Sequence, residues 1–140
     1  MCGILGQINL KPGDLPHPEL FLQSLNLQEH RGPDDFGVHE GLDFVLGHRR
    51  LSIIDLDSHA KQPMVSDCGQ YIVVFNGEIY NYQELKSSLL EKGYVFQTSS
   101  DTEVLLYLFK DRGVDCLQDL IGMFAFALVD LSKNETYLVR

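Results

Sequence analysis

Tryptophan is absent from the sequence, and cysteine occurs only as Cys2, Cys68 and Cys116, an odd number placed far apart. Without a C-x-x-C pair, neither a disulfide framework nor a structural zinc site is expected. The five histidines (His17, His30, His39, His48 and His59) form no H-x-x-x-H pattern, so no metal is expected. Positive charge is also scarce: 11 Lys and Arg stand against 20 Asp and Glu, a net −9. That balance argues against nucleic acid or an anionic membrane surface as partner. No stretch approaches the ~18 consecutive apolar residues of a membrane helix, and no cationic leader precedes an apolar run. A cytoplasmic location is the default expectation. Internal repeats, low-complexity segments and linkers are lacking too.

What remains is 44% hydrophobic and 22% charged over 140 residues, enough for one globular core or part of one. Residues 3–10 (GILGQINL) read as a strand. Pro18 suits the first turn of a helix running through ELFLQSLNLQEH to Gly32-Pro33. FVLGHRRLSIID and QYIVVFNG read as strands, the second with Tyr71, Val73 and Phe75 alternating against Ile72 and Val74. Asn81 with Glu84, and Ser100 with Glu103, match the capping-box spacing. The first opens a helix with Tyr82, Leu85 and Leu89 on one face, ended by Gly93. The second buries Val104, Leu105, Leu108 and Phe109 and stops at Gly113. YVFQT between them reads as a short strand, and MFAFALVD with ETYLVR as a hairpin around LSKN. The chain closes inside that last strand at Arg140, so the fold is expected to be incomplete at its C-terminal end, with exposed apolar surface and marginal solubility.

Four stretches carry chemistry: MCGI, HRRLSI, FNGEIYN and SSDTE. Each has an innocent reading. Cys2 is a small residue at a strand start, Asn76-Gly77 a turn, Arg50 a surface cation, and Asp101 a carboxylate in a helix's first turn. Together they suit an amino acid with an amide side chain. If aminopeptidase removes Met1, Cys2 carries a thiol and a free amine on one α-carbon, a nucleophile with its own base. Arg49 or Arg50 could grip an α-carboxylate in bidentate fashion. Asp101 could pair with an α-ammonium, and Glu78 could accept from an amide nitrogen. The Asn76 side-chain amide and the Gly77 N–H could face a tetrahedral oxyanion, where one donor contributes about 2.7–4 kcal/mol to the transition state.

MCGI, HRGPDDFG, GHRRLSIIDL, QPM, VVFNGEIYNYQEL, SSDTEVLL and GMFAFALVD, in that order, resemble the glutaminase domain of glutamine-dependent asparagine synthetases. That domain is similar to the class II glutamine amidotransferases of the N-terminal-nucleophile hydrolases. Glucosamine-phosphate synthase and phosphoribosyl-pyrophosphate amidotransferase are expected to carry a histidine before Asn-Gly, whereas Phe75 stands here. Residues 31–34 read RGPD, which also favours the asparagine synthetase branch.

The resemblance implies an α+β fold, a four-layer αββα sandwich, with residues 1–140 as an incomplete amidotransferase domain lacking the synthetase domain. It implies Cys2 as nucleophile and Asn76 and Gly77 as oxyanion hole. Arg50, chosen over Arg49 by the family pattern, would bind the glutamine carboxylate beside the backbone of Leu51 and Ile53. Glu78 would hold glutamine and Asp101 its amino group, while His30, Arg31 and Asp34 shape the surrounding loop. The partners implied are L-glutamine and a C-terminal synthetase domain, and a homodimer is allowed. No phosphate loop is visible, so no cofactor is expected here, ATP and magnesium belonging to the synthetase domain. Amidation of a different carboxylate, or a silent glutamine-binding module, are the alternatives.

Overall fold

The computed structural model describes residues 2–9, 17–51 and 61–140. Two antiparallel sheets lie face to face. The first is ordered β1-β3-β2, from β1 (Gly3–Ile8), β2 (Asp35–Glu40) and β3 (Phe44–Arg50). The second is ordered β4-β5-β6-β7, from β4 (Met64–Val65), β5 (Tyr71–Ile79), β6 (Gly122–Asp130) and β7 (Glu135–Val139).

Alternation along β5 sets the layers. Ile72 and Val74 point toward the first sheet, where they pack with Phe44, Leu46, Ala127 and Val129. Val73 and Phe75 point the other way, into a cluster with Phe126, Leu128 and the helix α3 (Asp101–Arg112). On the outer face of the first sheet lies α1 (Pro18–Asn26), with buried Phe21 and Leu25 against Gly47. The order is therefore α1, sheet, sheet, α3, the expected four-layer αββα sandwich. In α3 every residue from Asp101 to Phe109 is buried, enclosed by the second sheet, by α2 (Tyr82–Glu91) and by a 3-10 helix at Gly113–Asp119. At roughly 1.5–3 kcal/mol per buried large apolar side chain, this helix anchors the second sheet.

Several local expectations need correction. The first helix stops at Asn26, and turns carry the chain to Arg31. Residues 94–98 form no strand; the N–H groups of Gln97 and Thr98 donate instead to the Glu103 carboxylate. The capping box holds in part at α3, where Ser100 Oγ accepts from Glu103 N. It fails at α2, where the Asn81 side chain makes no cap bond. The strand β2 was not anticipated, because its apolar Phe36 and Val38 face outward while Asp35, Gly37 and His39 turn inward. The 3-10 helix was not anticipated either; it buries Cys116, whose thiol burial pushes up to about 11, as befits a packing residue. The part of the HRRLSIID strand beyond Leu51 lies outside the described residues.

Candidate active site

Cys2 stands at the mouth of β1, half buried. Its Sγ accepts from the Leu51 N–H at 3.4 Å and faces the Leu51 carbonyl at 3.7 Å. Its own carbonyl accepts from Arg31 Nε at 3.1 Å. Leu51, expected as pocket backbone, is thus the residue that seats the thiol.

The two arginines that end β3 are told apart by their surroundings. Arg49 turns to α1: Nη2 donates to Asn26 Oδ1 at 2.6 Å, Nε to the Leu25 carbonyl at 3.5 Å, and the guanidinium lies 5.2 Å from the Phe36 ring centroid. It is a structural brace. Arg50 faces the other side of the sheet; its charge opposes protonation of His48 and adds a little to the Lys61 ion pair and Phe36 N–H that lower the Asp35 carboxyl against its burial. Arg50 is the arginine expected at the carboxylate, and Arg49 the one set aside. The RGPD loop grips the same pair. Asp34 N–H donates to the Arg50 carbonyl at 3.0 Å, and Gly32 lies so flat on the Arg49–Arg50 peptide that a Cβ would sit 2.3 Å from the Arg49 carbonyl.

Asn76-Gly77 is no turn; both residues lie inside β5, opposite Ala125 and Phe124. Asn76 Oδ1 is buried without a hydrogen-bond partner among the described residues. Gly77 has φ 151° and sits so close to β6 that a Cβ would lie 2.1 Å from the Met123 carbonyl oxygen. Only glycine fits there.

Asp101, the first residue of α3, is 5% exposed and accepts from the Ile79 N–H at 3.0 Å through Oδ2. Burial pushes its carboxyl above the usual range, against that hydrogen bond, and the nearby Glu78 carboxylate adds to the push. A second carboxylate near a desolvated one favours a cation beside them.

The same hydrogen bonds bring these segments to one end of the sandwich. His48, fully buried on β3, reaches across the sheets with Nε2 3.2 Å from the Phe75 carbonyl. Arg50 lies two residues beyond His48 and Asn76 one beyond Phe75, so at ~3.3 Å per residue each is within about 7 Å of that crossing along its strand. Gly3 pairs with Arg49, so Cys2 arrives at the same rim, and Asp101 joins it through Ile79. Ile53 lies outside the described residues. Two concavities lie elsewhere: an apolar one of about 360 Å³ between Ile4, Leu46, Val74 and Leu138, and a polar one of about 570 Å³ beside Tyr94 and Lys110. Neither includes an expected site residue.

Reading the sequence missed the chemistry of His48 and Gln62. Gln62 is buried: Oε1 accepts from Phe75 N–H at 2.6 Å, and Nε2 lies 3.3 Å from Thr102 Oγ1. Both residues stand in stretches quoted for the resemblance, QPM and GHRRLSIIDL, but nothing in the letters says which backbone groups they reach.

Comparison with known proteins adds the following. The family described as "Glutamine amidotransferase domain" matches residues 1–140. Asparagine synthetase B [glutamine-hydrolyzing] of Escherichia coli (strain K12) is 40% identical over 139 residues, 99% of this chain and 24% of that protein. Asparagine synthetase [glutamine-hydrolyzing] 2 of Bacillus subtilis (strain 168) is 41% identical over 142 residues, 100% of this chain and 19% of that protein. The chain thus spans about a fifth to a quarter of the length of these curated relatives. Among solved structures, glutamine phosphoribosylpyrophosphate amidotransferase from B. subtilis superposes with a TM-score of 0.68 at 25% identity, covering 93% of this chain and 35% of that one.

Proposed function

The chain belongs to the family of glutamine amidotransferase domains, and on that footing we propose that it hydrolyses glutamine to glutamate and ammonia through a thioester on Cys2. The observation that carries this reading is the placing of the Cys2 sulfur on the Leu51 backbone, at the rim that Arg50, Asn76, Gly77 and Asp101 also reach. With Met1 removed, the α-amine (reference pKa near 8) and the thiol (near 8.5) exchange a proton at little cost near neutral pH. The amine takes the thiol proton, directly or through one water. The sulfur bonds the side-chain carbonyl carbon of glutamine, and the oxygen takes up the negative charge, facing the Asn76 amide and the Gly77 N–H. The protonated amine returns its proton to the departing nitrogen, ammonia leaves, and a thioester remains. Water then attacks the thioester, glutamate departs, and the thiol is regenerated.

Arg50 meets the α-carboxylate of glutamine, and Asp101 with Glu78 meets its ammonium. Desolvation weakens Asp101 as an anion in the empty site, so the incoming ammonium supplies the charge that favours its ionised form. The ammonia goes, in this reading, to a synthetase domain that uses ATP and magnesium to make asparagine from aspartate. The relatives named above support that acceptor.

The test is glutamate release from glutamine by wild-type and Cys2→Ala protein, with mass spectrometry reporting whether Met1 is present. Release should fall to background in Cys2→Ala. Equal release from both proteins, or full activity with Met1 retained, would overturn the assignment of Cys2.

A further inference from the structure

Antiparallel pairing gives alternate residues of a strand to its two neighbours. On β5 the even residues serve β6, as the flanking bonds from Leu131 N to Gln70 O and from Tyr80 N to Ile121 O continue to show. The odd residues face β4. Tyr71 bonds Ser66 there, and Val73 pairs with Met64. Beyond Val73 the strand β4 is gone, since Met64 is its first residue.

Buried backbone N–H and C=O groups left without partners each cost roughly 1–3 kcal/mol. At Phe75 both groups are met by side chains. Gln62 Oε1 takes the N–H at 2.6 Å, and His48 Nε2 reaches the C=O at 3.2 Å. At Ile79 the N–H is met by Asp101 at 3.0 Å. Gly77 is the odd residue between them, and among the described residues no side chain or loop closes on it. Among the described residues the edge therefore has one open rung, between the Phe75 rung and the held N–H of Ile79.

We propose that His48 and Gln62 are positioning residues for the reaction: by closing the Phe75 rung with side chains where a strand would otherwise continue, they fix Asn76-Gly77 and leave the Gly77 N–H free to meet the oxyanion. A continued β4 would occupy the Gly77 rung with its own carbonyl. Two side chains close Phe75 and go no further. The carbonyl of Phe75 can only accept, so His48 Nε2 carries a hydrogen; burial keeps the ring neutral, and its buried Nδ1 has no partner among the described residues. Gln62 in turn is anchored on Thr102, the residue after Asp101. One network thus ties the oxyanion donors to the residue that receives the substrate ammonium.

This inference rests on the glutaminase reading, and the experiment separates the two. In the intact protein, wild-type release of glutamate no faster than that of Cys2→Ala would end the glutaminase reading before any other variant is made. With that activity in hand, His48→Leu and Gln62→Leu should each lower kcat ten- to a hundredfold with KM for glutamine within threefold. The aldehyde analogue of glutamine bonds its carbonyl carbon to the Cys2 sulfur, the thiol proton passing to the oxygen. Its affinity should fall in step with kcat/KM, while glutamate affinity and the rate of Cys2 alkylation by iodoacetamide stay at wild-type values. His48→Gln and Gln62→Glu, which keep a donor and an acceptor for Phe75, should recover most of the loss. Wild-type kcat in the leucine variants, or an equal loss of glutamate affinity and alkylation rate, would overturn the proposal. Should a leucine variant fail to fold, Thr102→Val decides, since it removes only the hydroxyl that anchors Gln62: a three- to tenfold fall in kcat at unchanged KM supports the clamp, and wild-type kcat refutes it.

Discussion

The two halves of the β5 edge that faces β4 are built differently. From Tyr71 to Val73 the edge is closed mainly by backbone, through β4 and the Ser66 N–H, with the Tyr71 N–H taken by the Ser66 hydroxyl, and the side chains above and below are apolar core. From Phe75 to Ile79 it is closed by buried polar side chains from three separate places: Gln62 before β4, His48 in the other sheet, and Asp101 at the head of α3. A backbone ladder closes every rung it passes, whereas side chains close single rungs. The second construction costs more, because each polar group taken from water has to find its partner. In return it leaves the Gly77 N–H open, among the described residues, between groups that are held. The candidate site sits where the sheet changes from one construction to the other.

The hardest break of this contrast is at the open rung itself. Gly77→Ala would place a Cβ 2.1 Å from the Met123 carbonyl, at φ 151°. Overpacking and backbone strain each cost about 1–3 kcal/mol, so a loss of roughly 2–6 kcal/mol is expected. That is a large part of the ~5–15 kcal/mol by which a domain is stable. Thermal or urea unfolding should show it directly; a variant as stable as wild type would mean that β5 and β6 part at Gly77 without penalty.

A second break comes from acid. Burial holds His48 at about 4, against an ordinary 6.5, with the Phe75 carbonyl and Asp35 raising it and Arg50 lowering it. The unfolded chain therefore binds a proton first as pH falls. The stability that His48 contributes is complete above about 6.5 and is lost progressively toward pH 4. The loss over that window is on the order of 3 kcal/mol. Asp101 acts in the opposite sense, since its raised folded value lets the native state take up a proton first at acid pH. Urea unfolding at pH 7 and pH 4.5 for wild type and His48→Gln isolates the histidine. Wild type should lose stability relative to the variant as pH falls, and parallel behaviour would show that His48 is not kept neutral.

How far these features could be read from the letters depends on which face they use. The alternation of Tyr71, Val73 and Phe75 against Ile72 and Val74 reports two buried faces, while the layer order came from the family resemblance. The apolar body of α3 and the hairpin of β6 and β7 were equally plain. In β2 the rule inverts: Phe36 and Val38 point outward on an edge strand, so apolar letters carried no inward signal. Candidate residues named by chemical type, Cys2, Asn76, Gly77 and Asp101, and Arg50, which the family pattern chose over Arg49, fall at one rim. Gln62 and His48 escaped because their partners are the backbone groups of Phe75, and a backbone group has no letter. YVFQT was misread for the same reason, its N–H groups being claimed by the Glu103 carboxylate six and five residues on.

The smallest effect is expected on the opposite edge of β5, where a side chain prolongs the ladder to β6. After the bond from Tyr80 N to Ile121 O, the Asn81 amide takes over: Oδ1 accepts from Ile121 N at 3.0 Å, and Nδ2 donates to the Asp119 carbonyl at 2.8 Å. An amide offers both a donor and an acceptor, and the gap before β6 needs both, so Asn81 is drawn away from capping α2. Ser100 offers only a hydroxyl, has no such gap beside it, and caps α3. Serine at position 81 would suit the helix better, yet it would forgo one partly buried and one exposed bond, together worth about 1–2 kcal/mol. Asn81→Ser should therefore lower stability in urea by about 1 kcal/mol and leave glutaminase kcat unchanged, because the open rung lies on the other edge. A stabilised Asn81→Ser protein would mean that the ladder to β6 holds without its last side-chain rung, and that the two edges of β5 differ less than their geometry implies.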